Sequence, residues 1–394
     1  MRLFSGMTLP SWMRGRTAVL LAVGLVALGT ATGFSATRPF LGDGSAWLEN
    51  EQGVAHVNAG TGRPDATVQL PLQDHGDDVG IVDASGGPVI VMEGQRGTGT
   101  PVDPVTMQPG QAVDFGTRPG LGGEPAELLL SGDRAYVTDP GGRRVLLVNA
   151  TSPTLNVLAA VPLGAALRGA VADGVGGLWV LLVDGRVVHV VGDQSSEPLR
   201  VAAEGNAVSL SALGDGAVVV DATDHVVTQV SAGGTSGTPI PAEIGPGDQV
   251  QRPSAATDGA IWFADHSPSR LIGVDLRGGR SKAITLDVGT GDPRFTHPVA
   301  TGGRVFVVEL TTHTLFIADI ATGQVEVLDV DGNGHDVELF EDDGLVWASD
   351  PTSPLAWVVD ADGESHRVDL RTGEAIQQAA PVEPESPAPV APQP

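Results

Sequence analysis

Short apolar stretches alternate along the chain with brief polar interruptions of Gly, Asp, Asn and Thr. Stretches such as GLWVLL, AIWFAD and RVFVVE are too short for helices and are dominated by Val, Ile, Leu and aromatic residues. They predict strands, and the residues between them tolerate the backbone angles of hairpin turns. With 54 glycines and 29 prolines in 394 residues, a long helical period has no room to develop after the first few dozen residues.

The strand pattern repeats. Trp47, Trp179, Trp262 and Trp347 occupy one local context, a Gly-containing turn followed by an apolar strand. Tyr136 and Phe306 stand in the same setting, and Ile90 and Val219 fill the gaps with weaker copies. The eight positions are separated by 40 to 46 residues. Five units continue into a strand that ends in Asp or Asn (Asn58, Asn149, Asp275, Asp319, Asp360) and then into a further strand. Four strands and their turns need roughly forty residues, so the period matches a four-stranded antiparallel sheet. A single such sheet cannot cover both its faces, and stacking copies in a ring buries them. The predicted fold is all-β: an eight-bladed β-propeller over residues 38–380, with seven blades as the alternative if the first and last units merge. The recurrent aromatics would fill the wedges between blades.

The two ends read differently. Residues 1–16 form a leader with Arg14 and Arg16 at its end, and 17–36 form an apolar run without charge. This run predicts a single transmembrane anchor with the bulk of the chain on the extracytoplasmic side; a cleaved signal peptide, giving a secreted protein, is the alternative. Residues 381–394 (PVEPESPAPVAPQP) predict a disordered, semi-rigid Pro-rich tail.

Charge narrows the partners. The formal net charge is −26, which repels phosphate backbones and excludes nucleic acid as the expected partner. There are no cysteines, so neither disulfides nor thiolate metal sites form.

DGAIWFADHSPSRLIGVDL around Trp262 resembles a blade of the NHL/YVTN-type propellers, and of the virginiamycin B lyase family in particular. The anchor, the stretch RPFLGDGSAWLENEQGVAHVNAGTGRPDATVQL, the blades and the Pro-rich exit together resemble the N-terminal region of large actinobacterial surface proteins. Those carry fibronectin type III or Ig-like domains further on. The resemblance implies an exported binding or scaffold module at the cell envelope, with an unidentified protein or glycan as partner. It assigns no reaction. The lyase likeness implies the alternative, a propeller lyase or hydrolase of the virginiamycin B lyase or lactonase type, using a His, a nearby acid and a divalent metal.

Candidate chemistry is sparse, with no nucleophile elbow, P-loop, H-E-x-x-H or dinucleotide fingerprint. Three positions after the recurrent aromatic stand Glu93, Asp139, Asp265, Glu309 and Asp350, with Asn50 as a sixth copy. They are expected on one face of the ring, either capping turns or presenting carboxylates to a cation or basic partner. His225, His266 and His313, from three consecutive units, are the candidate catalytic residues, a cluster only if they converge. Asp329, Asp331 and Asn333 match the opening of a calcium loop, with the His335 carbonyl as a fourth ligand. The match lacks the bidentate Glu at its twelfth position, where Phe340 stands, so any Ca²⁺ site there would be weak.

Overall fold

The computed structural model describes residues 45–376 apart from 51, 74–78, 84–86, 121–122, 152–153, 245–252, 256, 267, 290–292, 331–336, 343, 351–352, 361–362 and 371–374. The anchor at 17–36, the leader and the Pro-rich tail lie outside the described residues, as do Asp331, Asn333 and His335. Every described element is a strand.

The strands form eight separate antiparallel sheets, the blades of a β-propeller. Blade 3 shows the plan, with Leu128–Ser131, Arg134–Asp139, Arg144–Asn149 and Asn156–Pro162 paired in chain order. Blades 5 and 7 repeat this four-stranded order. In blades 2 and 4 the fourth strand is broken into two short pieces, both paired with the third strand. Blade 8 carries a fifth strand, Ala375–Ile376, on the outer edge of Ser365–Asp369. In blades 1 and 6 three strands are described, corresponding to the second, third and fourth. The blades number eight; the seven-bladed alternative is excluded because the Trp47 and Trp347 units form separate sheets.

The meander gives the ring two faces. Turns between first and second strands and between third and fourth strands share one face, here called the hairpin face. Turns between second and third strands, and the connections from one blade to the next, share the crossover face. On the hairpin face the first turns of blades 4 and 5 touch directly, Gly174 N–H donating to the Gly214 carbonyl at 2.9 Å.

Burial follows the alternation of each strand. Eight apolar clusters fill the eight interfaces between neighbouring blades, the interface of blade 8 with blade 1 included. In blade 6, Ile261 and Phe263 pack toward blade 5 while Trp262 and Ala264 pack toward blade 7. Successive side chains of a strand point to opposite faces, so one strand serves two wedges. Trp47, Ile90, Tyr136, Trp179, Trp262, Phe306 and Trp347 all face the following blade.

Blade 5 corrects the repeat register. Val219 packs backward with Trp179, in the wedge between blades 4 and 5, whereas Val218 faces blade 6. Val218 is therefore the counterpart of the aromatics. The one-residue difference flips the face, as it must in a strand.

The aromatic wedge also dictates a glycine. Gly273 lies opposite Trp262 on the third strand of blade 6. A Cβ added there would come within 2.6 to 2.7 Å of three atoms of the buried indole. Gly273→Ala is expected to destabilise the protein by about 1–3 kcal/mol through overpacking. Gly80→Ala, where a Cβ meets nothing within 4 Å, is the control and should be neutral. Paired urea denaturation curves check both.

Candidate functional site

The carboxylates predicted to gather on one face do so, on the crossover face at the ends of second strands, and they are buried. Glu309 accepts N–H bonds from Arg294, Thr311 and Thr312 at 2.7 to 3.1 Å, and the Thr312 hydroxyl at 2.7 Å. Asp139 accepts the N–H groups of Arg118 and Gly142 and the Arg144 Nε at 2.6 Å. Glu93 accepts the Gln73 N–H at 2.7 Å. Gln73, Arg118 and Arg294 all lie in connections that enter a blade from its predecessor. Glu309 and Asp139 thus tie their own turn and the incoming crossover to the end of one strand, and Glu93 ties the incoming crossover.

Two blades extend the clamp with arginine. Arg144 opposite Asp139, and Arg270 opposite Asp265, each bond the carboxylate from the next strand. Each also reaches a connection carbonyl, Gly116 and Glu243 respectively. Asn50 caps its turn through the Gln52 N–H at 2.9 Å. Asp350 is buried at the corresponding place in blade 8.

The corrected register adds one residue to this set. Asp221, three positions after Val218, is buried and accepts the N–H groups of Thr223 and Asp224 and the Asn206 amide at 2.7 Å. Its signal in the sequence was the same three-residue offset, hidden by alignment on Val219. Blade 4 is the exception, with Leu182 at that position.

Burial by itself would raise the Glu309 carboxyl, but its hydrogen bonds, led by the Thr312 hydroxyl, prevail and hold it at about 2 against an ordinary 4.5. Its contribution to stability is therefore complete above pH 4.5 and is lost as pH falls through about 2. That contribution is on the order of 3 kcal/mol. Glu309→Gln is expected to lower stability at neutral pH and to flatten the acid limb between these two values. Urea midpoints measured from pH 2 to 7 test it.

The three candidate histidines occupy two different local situations. His225 and His313 are the last residues of equivalent turns, both left-handed, with φ of 54° and 52°. Their carbonyls accept the N–H of Ala242 and Val330, just past the fourth strands. Gly97 and Arg143 do the same in blades 2 and 3. This position selects residues that tolerate the left-handed region, histidine among them. His266 is not their equivalent; Ser269 takes the turn role in blade 6, its carbonyl receiving the Leu286 N–H. The His266 Nδ1 instead bonds the Pro293 carbonyl at 2.8 Å, and its ring meets Phe295 edge-on.

Asp329, first of the calcium-loop residues, ends a fourth strand opposite Thr314. Glu341 caps the Gly344 N–H at 2.7 Å. Among the described residues no three His, Asp or Glu side chains gather as a metal-ligand group.

A second buried polar network has no contiguous motif in the sequence. It joins blades 3 and 4 on the hairpin face. Asp173 Oδ1 accepts the N–H groups of Val175 and Gly177 and the Ser131 hydroxyl, while Oδ2 meets His189 Nε2 at 2.7 Å. The His189 ring stacks on Trp179 with centroids 4.3 Å apart. The Tyr136 hydroxyl donates to the Gly176 carbonyl and accepts the Gly192 N–H. Although Ser, His and Asp meet here, the Ser131 hydroxyl points to the carboxylate and not to the imidazole. Ser131, Asp173 and His189 are all buried, so this is an inter-blade staple. Burial alone would raise the Asp173 carboxyl, but its hydrogen bonds hold it below the usual range.

No family model and no curated protein matches the chain. Solved structures do match, at the level of the fold. Virginiamycin B lyase from Staphylococcus aureus superposes with a TM-score of 0.55 at 13% identity, covering 71% of this chain and 94% of that one. AztD from Citrobacter koseri gives 0.58 at 14% identity over 84% and 96%. BamB from Moraxella catarrhalis gives 0.53 at 12% identity over 82% and 98%. The names span a lyase and proteins of other kinds, and at these identities what this chain shares with them is the β-propeller.

Proposed function

We propose that the chain is a membrane-anchored, extracytoplasmic binding or scaffold module of a bacterial cell envelope, comparable in layout to the propeller regions of large surface proteins with fibronectin type III or Ig-like domains. Residues 17–36 hold it in the membrane, and the acidic ring presents its surface to an envelope protein or glycan. The observation that carries this reading is the use made of the recurrent polar groups. Glu93, Asp139, Asp221 and Glu309 bind turns and crossovers, so the side chains that repeat around the ring hold the ring. A propeller stiffened in this way suits recognition on its rims and faces.

The test is cross-linking of the full chain in its own envelope, with protease treatment of intact cells. Expected are cleavage from outside and a defined cross-linked species. A purified chain that opens cyclic ester substrates of the streptogramin or lactone class, with no cross-linked species, would overturn the proposal in favour of the enzyme.

A further inference from the structure

Outer strands leave one row of backbone N–H and C=O groups unpaired, and proteins guard such edges with charge, proline, bulges, interruption or a covering strand. Most blades here are guarded. The outer strand of blade 1 carries Arg63 and Asp65, that of blade 6 Arg280 and Lys282, and that of blade 7 Glu326 and Asp329. Those of blades 2 and 4 are broken, that of blade 5 is the two-residue Ile240–Pro241, and blade 8 is covered by its fifth strand.

Blade 3 differs. Its outer strand, NVLAAVP from Asn156 to Pro162, is seven residues long and carries no charge. Val157 and Leu158 are 45% and 62% exposed. Its guards are one bulge, which sets Leu158 outside the ladder and has a counterpart in blade 1, and a proline at the last position. Blades 2 to 4 also hold five of the seven exposed large apolar side chains among the described residues on or next to the hairpin face: Val105, Val157, Leu158, Val175 and Val191. The turns between third and fourth strands of the two neighbouring blades carry acids on that face. Asp103, which caps its own turn through the Val105 and Thr106 N–H groups, stands there on blade 2 and Asp193 on blade 4, and both are exposed.

We propose that the outer edge of blade 3 receives an extended segment of a partner protein that carries both apolar and basic side chains. The segment adds as a further strand, as Ala375–Ile376 already does on blade 8. Its main chain pairs with the edge that no described strand occupies, its apolar side chains cover Val157 and Leu158, and its basic groups meet Asp103 and Asp193. A second copy of this chain is the poorer occupant, because the same acids would then face each other across a two-fold axis in a chain of net charge −26. The proposal rests on the binding-module reading and names the surface it uses.

The experiment uses the full chain and a fluorescein-labelled peptide of alternating valine and lysine, followed by polarisation. Leu158→Lys places a charge on the edge. Val327→Lys, at an equally exposed position on the blade 7 edge, makes the same change of net charge elsewhere. Both side chains are exposed, and unchanged thermal midpoints will confirm that both variants are folded. Expected is saturable binding that Leu158→Lys weakens by roughly tenfold and Val327→Lys by less than about twofold. Equal weakening by the two variants, or no binding, would overturn the proposal. So would a dimer of the wild-type chain that Leu158→Lys dissolves, since the edge would then belong to a second copy. If the cross-linked species of the envelope experiment persists in Leu158→Lys, the surface is wrong and the binding-module reading stands.

Discussion

Trp347→Ala is expected to lower stability by about 3–5 kcal/mol, the range for removing a large buried aromatic side chain. Trp347 is fully buried in the wedge that joins blade 8 to blade 1, with Leu48, Val57, Val358 and Val368 among its neighbours. No other interface can compensate, because each wedge is filled from its own two blades. Among the described residues its indole Nε1 has no hydrogen-bond partner, so the ring contributes by volume. Trp347→Phe keeps most of that volume and removes the unpaired donor, and is expected to lose less than about 2 kcal/mol. Urea midpoints that fall equally for the two variants would show that the N–H, and not the ring, matters.

The second large effect belongs to Asp173. Asp173→Ala removes the acceptor for two backbone N–H groups, the Ser131 hydroxyl and His189, all within a buried network. Leaving them unsatisfied is expected to reduce stability by about 3–5 kcal/mol. Asp173→Asn retains an oxygen for the donors that Oδ1 now serves but presents an amide to His189, and is expected to fall between wild type and Asp173→Ala. Urea denaturation and exchange protection at Gly176 and Gly177 report the effect. Unchanged protection in Asp173→Ala would mean that the turn holds itself without the carboxylate.

The blades were legible in the chain because a ring repeats its grammar. A turn, an apolar strand with an aromatic, and an acid three positions later recur at nearly constant spacing. The Asp and Asn residues closing third strands were legible too: Asp275 accepts the N–H groups of Arg277 and Gly278, and Asp319 that of Thr322. What failed was local register where the aromatic is missing. In blade 5 a run of three valines offers no anchor, so Val219 stood in for Val218 and Asp221 went unrecognised. The staple between blades 3 and 4 was hidden for a different reason. Ser131, Asp173 and His189 come from two blades and are brought together only by the ring. A trace of it does exist. Trp179 faces His189 across two strands as Trp47 faces His56, and in both blades a histidine follows the tryptophan by nine or ten residues.

The eight wedges are not equivalent in time. Seven of them join blades that follow one another along the chain and can form as soon as the second blade exists. The eighth joins residues about 300 positions apart, Leu48 with Trp347. Closing so long a loop is entropically harder than closing one of about twenty residues by about 2 kcal/mol, and it has to come last. Until residues 345–370 have been made, Ala46, Leu48, Ala55 and Val57 lack the blade 8 side chains that cover them among the described residues. A chain interrupted before that point would carry this apolar face uncovered, open to any neighbouring chain in the same condition. The first blade synthesised is thus the last to be sheltered, and the rate of synthesis of the final blade sets how long that exposure lasts.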